Sequence, residues 1–274
     1  MDNLYVLAKP LDTSNKIIID IQDVMDFCFC NQYHYLKNNI KKGSRDLYDE
    51  ALHKTFYSYL IALQENRLED ALKTLKYKWG QEWIKYKNAK DILVNQSSSM
   101  YDQYEHKRKR GINAIFNFND MMTDKQCPII IGHKYQIEIL PNIVLTGTFE
   151  YVREITINKK GSKNIKDNKK VIQIIKFAST TNRFRTNLER EHNIELIAMS
   201  YAFKEMFNVN DFQVLYMDID TKKITSTIFN QKDYDALKET VKNTVICMQN
   251  NIKCVSHDIK CFHCEYRNIC TSNL

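Results

Sequence analysis

Residues 143–157 read IVLTGTFEYVREITI and residues 170–178 read KVIQIIKFA. Both stretches are rich in Ile, Val, Phe and Tyr and alternate locally between apolar and polar positions, which is the period of a strand. Between them lies NKKGSKNIKDNK, polar and containing Gly161, which predicts a hairpin loop reaching into solvent. Upstream, PIIIGHKYQIEI at 128–139 has the same composition and supplies a third strand. Downstream, LEREHNIELIAMSYAFKEMF at 188–207 predicts a helix, followed by strands near 212–219 and 223–229 and a helix over 231–250. Strands separated by a helical crossover predict an α/β protein with a mixed sheet.

The first half of the chain has another period. Residues 20–41 (DIQDVMDFCFCNQYHYLKNNIK) and 46–65 (DLYDEALHKTFYSYLIALQE) place apolar residues at three-and-four spacing, with Val24, Phe27 and Tyr35 in one and Leu47, Leu52, Phe56 and Leu60 in the other. Each predicts an amphipathic helix, and helical patterns continue through 68–94 and 98–118. The last of these carries His106, Lys107, Arg108, Lys109 and Arg110, a run that makes either a solvated face or a patch contacting phosphates. No repeat or long polar linker divides the chain. One domain over 1–274 is expected, with a helical arm at 20–120, a sheet core at 128–250 and a Cys-rich segment at 254–274.

The 274 residues allow a sizeable core. Only 6 Gly and 3 Pro occur, far below the usual shares of about 7% and 5%, which excludes collagen-like and linker-rich classes. Aromatic residues at 11% and apolar residues at 43% are too many for a disordered chain. A formal charge of +7 suits a polyanionic partner without requiring one. No apolar stretch is long enough to cross a membrane, and the start MDNLYVLAKPLDTSNK has no apolar segment after a basic one. A cytoplasmic protein with no membrane partner is therefore expected. In that compartment the 8 Cys are expected to be reduced, so their spacing decides whether they bind metal.

The tail places Cys261, Cys264 and Cys270 in a Cys-x-x-Cys-x5-Cys arrangement. A Cys-x-x-Cys turn lets two sulfurs converge on one metal centre, and a short return brings the third. A closed site needs a fourth ligand, for which Cys254, His257, His263, Cys28 and Cys30 are the candidates. Zinc and an iron–sulfur cluster both fit the local spacing.

Two further patterns carry a resemblance. The order Phe27-x-x-Cys30-x-x-Tyr33-x-Tyr35, with Cys261-x-x-Cys264-x-Tyr266-Arg267-x-Ile269-Cys270, resembles the iron–sulfur members of the PD-(D/E)XK nuclease superfamily. These include AddB-type helicase-nuclease subunits and the RecB-like exonucleases associated with CRISPR adaptation. The resemblance spans about 20–270. It implies a restriction-endonuclease-like α/β fold whose termini are joined by a 4Fe-4S clasp on Cys30, Cys261, Cys264 and Cys270, with Cys28 the rival for the first place. It also implies DNA as a partner, a helicase or other replication or recombination protein as a second, and phage origin as one setting.

The family's hydrolytic centre has four parts, and each can be tested against these residues. His53 falls where the family helix presents a metal-binding His, and Gly147-Thr-Phe-Glu150 fits the Gly-x-x-Asp strand with Glu in place of Asp. Such carboxylates hold Mg2+ or Mn2+, which lowers the pKa of its bound water, while a nearby Lys stabilises developing negative charge. Lys176 stands in its place, but the acid expected two residues earlier is Ile174. Tyr201 fits the Tyr of the family's Gln-x-x-x-Tyr, yet Ile197 replaces the Gln. Either the acid has migrated to the helix at 188–207, as Glu191 or Glu195, or the centre has decayed. Two substitutions by Ile favour a lost or weakened centre. The function classes that follow are a metal-dependent DNA nuclease with Lys176, Glu150, Glu195 and Tyr201 in the site and His53 and Glu150 on the metal, a non-catalytic DNA-binding or assembly module with a structural cluster, and a zinc-stabilised interaction protein. In the first two, Lys107, Arg108, Lys109, Arg110 and the loop lysines 159, 160, 163 and 166 contact DNA.

Overall fold

The computed structural model describes residues 13–39, 44–67, 70–88, 100–122, 126–157, 169–178, 185–250 and 270. In chain order these form β1 (Ile17–Asp20), α1 (Ile21–Phe29), α2 (Asn31–Asn39), α3 (Ser44–Gln64), α4 (Ala71–Asn88), α5 (Met100–Met121), β2 (Pro128–Leu140), β3 (Ile143–Ile157), β4 (Lys169–Ala178), α6 (Arg185–Phe207), β5 (Phe212–Asp218), β6 (Lys223–Thr227) and α7 (Gln231–Gln249). The α/β class with a mixed sheet flanked by helices holds. One expectation for the first forty residues needs correction: the helix expected over 20–41 is broken at Cys30, whose extended backbone (φ −169°, ψ 125°) ends α1 before α2 begins. Residues 17–20, to which the sequence assigned no element, form a strand too short to show a period.

Two cores lie on opposite faces of the sheet. Ile21, Val24 and Met25 of α1, Leu196 and Phe203 of α6, and Tyr234, Leu237 and Val241 of α7 cover one face. Phe56 and Leu60 of α3, Leu75 and Trp79 of α4, and Ile115 and Phe118 of α5 cover the other. The helical arm expected over 20–120 is thus divided in a three-layer molecule: α1 joins α6 and α7 in one outer layer, and α3–α5 form the other, packed on Tyr151, Ile175, Phe177 and Leu215 of the strands. Phe56 stacks on Phe118 at 4.2 Å, and both meet Phe177 edge-on.

Strand β3 organises the sheet. Antiparallel β2 runs along one edge from Leu140↔Ile143 to Pro128↔Arg153, joined by a turn in which Asn142 takes a positive φ of 64°. The other edge is shared. Parallel β1 occupies it from Ile143 to Thr146, and antiparallel β4 occupies it from Tyr151 to Ile157. Between them, among the described residues, no strand partners residues 147–150 of β3 on that edge, so the sheet forks there. The sheet continues from β4 through parallel β5 to antiparallel β6.

The same level carries a second irregularity. Tyr135 and Ile137 of β2 and Leu145 and Phe149 of β3 belong to the α1/α6/α7 core, whereas Ile131 and Tyr151 belong to the α3–α5 core. Strict alternation would keep each set on one face. Both strands therefore exchange faces together between His133↔Phe149 and Ile131↔Tyr151, where Gly132 faces Glu150 across the ladder. Gly132 has φ +56°, a conformation that costs an L side chain about 1–2 kcal/mol. The exchange leaves Glu150 open to groups from either face.

Candidate active site

The fork is where the charged side chains meet. Glu150 comes from β3 and Lys176 from β4, on the same face as Ile174 and so beneath α6. The Lys176 Nζ donates to Glu150 Oε1 at 2.5 Å and to Glu195 Oε1 of α6 at 2.7 Å. From the opposite layer, His53 of α3 brings Nδ1 to 3.3 Å from the same Glu150 Oε1. The other oxygen, Glu150 Oε2, accepts the backbone N–H of Phe177 at 2.7 Å, so the carboxylate occupies a ladder position at the fork. Four elements far apart in sequence thus deliver four of the expected site residues to one point.

Electrostatics set their protonation. Burial alone would raise the Glu150 carboxyl, but the Lys176 ammonium, His53 and the Phe177 amide outweigh it and hold Glu150 below the usual carboxylate range. Burial alone would lower Lys176, but Glu150 and Glu195 outweigh it and hold the ammonium above the usual lysine range. Glu150 and Lys176 therefore stay ionised as a buried pair near neutral pH. Tyr57, one helical turn after His53, Tyr216, opposite Lys176 on β5, and Tyr135 surround it. Burial first, and then nearby acids (Glu150 for Tyr57, Glu195 and Asp20 for Tyr135, Asp218 for Tyr216), push all three phenols upward, so they remain donors. None of the three was singled out in the sequence. The i,i+4 spacing of His53 and Tyr57 was the available signal.

Two glycines make room. A Cβ on Gly147 would lie 2.3 Å from the Tyr135 hydroxyl, and one on Gly132 would lie 3.2 Å from the Tyr57 ring. Gly147 of the Gly-x-x-Glu150 motif thus lets a fully buried phenol lie flat on the strand.

The position expected to hold an acid, Ile174, is fully buried in the α6-side core, and Glu195 reaches Lys176 from the helix above it. Glu191 lies one turn earlier on α6, and its side chain is outside the described residues. Tyr201 stands apart from this group. Its ring packs 5.3 Å from Tyr234 of α7 beneath the Lys238 ammonium, and among the described residues no hydrogen bond joins it to the trio. Six residues beyond Glu195, it is turned toward α7.

Among the described residues, no three His, Cys, Asp or Glu side chains stand arranged to hold a metal ion. The Lys176 ammonium occupies the space between the two carboxylates. Their hard oxygens and the His53 imidazole suit Mg2+ or Mn2+, provided that Lys176 yields one of them. Of the thiols, Cys30 lies half-buried at the α1–α2 break, Cys270 is half-buried and Cys28 is exposed, none in a disulfide. Cys261 and Cys264 lie outside the described residues, as do the loop lysines 159, 160, 163 and 166.

The basic run on α5 does not form one continuous free patch. Arg110 donates to Asp220 Oδ2 at 2.5 Å and lies over the Tyr48 ring, and Arg108 pairs with Glu105. Lys107 is half-buried and Lys109 exposed. Among the described residues no helix is long and apolar enough to cross a membrane.

The fold and site define an α/β protein with a Lys-bridged carboxylate pair at a fork in its sheet. No family model matches the chain, and no curated protein matches it. Among solved structures, one described as "Crystal structure of SSO0001" is similar with a TM-score of 0.39 and 11% identity, covering 94% of this chain and 87% of that chain.

Proposed function

We propose that the chain is a restriction-endonuclease-like DNA nuclease of the PD-(D/E)XK type, with an iron–sulfur clasp, acting in replication, recombination or repair. The convergence of Glu150, Lys176, Glu195 and His53 at one fork carries this reading. When bound, a divalent cation would supply a Lewis acid and an acidified water for phosphodiester hydrolysis. Glu150, Glu195 and His53 are the residues to hold it. The Phe177 amide fixes the orientation of the Glu150 carboxylate, so that Oε1 faces Lys176 and His53. Lys176, protonated throughout the neutral range, is an electrostatic stabiliser of the phosphate's developing charge rather than a proton acceptor. Glu195 on α6 replaces the strand acid lost at Ile174.

Cleavage of a labelled oligonucleotide with Mg2+ or Mn2+ tests the reading. Glu150→Ala, Glu195→Gln and Lys176→Met should each abolish cutting that the unmodified chain performs. A second reading, a non-catalytic DNA-binding or assembly module, is favoured by the ammonium that already bridges both carboxylates. It expects no cleavage with any divalent metal, together with salt-sensitive DNA binding.

A further inference from the structure

We propose that the exposed ridge formed by α4 and α5 binds single-stranded nucleic acid. This inference rests on the nuclease-like reading for the choice of nucleic acid among polyanions and names the form in which the strand is bound. The two helices run antiparallel, since the Trp79 ring lies against Gly111 and the Lys76 ammonium lies 4.7 Å over the Phe116 ring. Their shared outer surface carries large apolar side chains that a solvated helix normally lacks: Tyr77 is 70% exposed, Ile84 59% and Phe116 39%.

Cations flank these side chains. Lys73, Lys76 and Lys109 are exposed, and among the described residues no carboxylate pairs with Lys73 or Lys109. The acids nearby are already taken, because Glu82 is bridged by Lys78 and Lys85 and Asp120 by Lys222. Between Tyr77 and Ile84, a Cβ on Gly80 would meet no atom within 4 Å, so the ridge is notched beside the aromatic ring.

Lysines beside the exposed Tyr77 ring suit a strand whose bases are unstacked. The phosphates pair with ammonium groups, while the bases lie on rings. A duplex offers its phosphates but keeps its bases stacked inside, so it would use only half of the ridge.

The test is fluorescence anisotropy of a labelled oligo(dT) of about twenty nucleotides and of a matched duplex, in EDTA at low salt. The full-length chain should bind oligo(dT) more tightly than the duplex, with affinity falling as salt rises. Tyr77→Ala should weaken oligo(dT) binding at least about fivefold with an unchanged circular dichroism spectrum. Lys73→Gln with Lys76→Gln should lower the slope of log affinity against log salt by about 0.7 per lysine. Undiminished affinity in Tyr77→Ala overturns the proposal. So does a change of mass by light scattering in Tyr77→Ala with oligo(dT) affinity intact, which would give the ridge to a second copy of the chain. EDTA stops metal-dependent hydrolysis, so an inert centre leaves a positive binding result standing. Active cleavage with Tyr77→Ala binding unchanged would sink the ridge alone.

Discussion

Lys176 is the residue on which the site's stability turns, because it is the countercharge of two carboxylates that are largely withdrawn from water. Lys176→Met should cost about 3–5 kcal/mol in urea unfolding, since it strands Glu150 and Glu195 beside each other. Glu195→Gln should cost less, because Glu150 still pairs with the lysine. The pH dependence has a definite sign. Glu150 titrates lower in the folded chain than in the unfolded one, so its stabilisation is present above the unfolded value of about 4.3 and is lost as pH falls through its folded value. Lys176 titrates higher when folded, so its share is present below about 10.4 and is lost as pH rises through its folded value. Unfolding of the unmodified chain across this range should therefore show a plateau between those limits that Lys176→Met abolishes. Gly132→Ala should cost about 1–2 kcal/mol through its positive φ, and more if the Tyr57 ring, 3.2 Å from the new methyl, cannot give way. At this scale the sequence pointed to His53, Glu150 and Lys176 through the resemblance to the family's motif order, but left Glu191 and Glu195 as equals. They lie on adjacent turns of one helix, and only packing of that helix chooses between them.

Among the elements, long β2, β3 and β4 announced themselves by composition, and α7 by its period, ending close to the expected 250. Strand β1 stayed hidden because IIID is four residues that acquire an extended conformation only from pairing with Ile143–Thr146. The fork was invisible for the same reason, being defined by where two partner strands stop. Helix α5 offers a test of how a charge run divides. Arg110→Ala should lower the melting temperature, because it removes the tie from α5 to Asp220 and the cover over Tyr48. Lys109→Ala, on an exposed side chain, should leave stability within about 0.5 kcal/mol of the unmodified chain. If both variants melt alike, the distinction between a structural and a solvated member of the run is wrong.

For the whole molecule, the α/β class followed from the change of period near residue 128, but the layering did not. An amphipathic helix states that it has a partner face without stating which one. The cluster expected on Cys30, Cys261, Cys264 and Cys270 would join residues more than 200 positions apart, so protein purified without oxygen should contain iron and acid-labile sulfide and show a broad visible absorption. Cys261→Ser should then lower stability globally rather than locally. One zinc per chain without iron would exclude the cluster.

Placing one carboxylate of the pair on α6 has a mechanical consequence. Glu150 is anchored in the ladder by the Phe177 amide, whereas Glu195 travels with its helix, about 1.5 Å along the axis for each residue of displacement. Ser200 on the same helix shares a buried hydrogen bond of 2.9 Å with Tyr234 of α7. The gap between the two carboxylates is therefore set by how α6 seats against α7, and Ser200→Ala, which removes the buried bond to Tyr234, is the substitution that would change it without touching either acid.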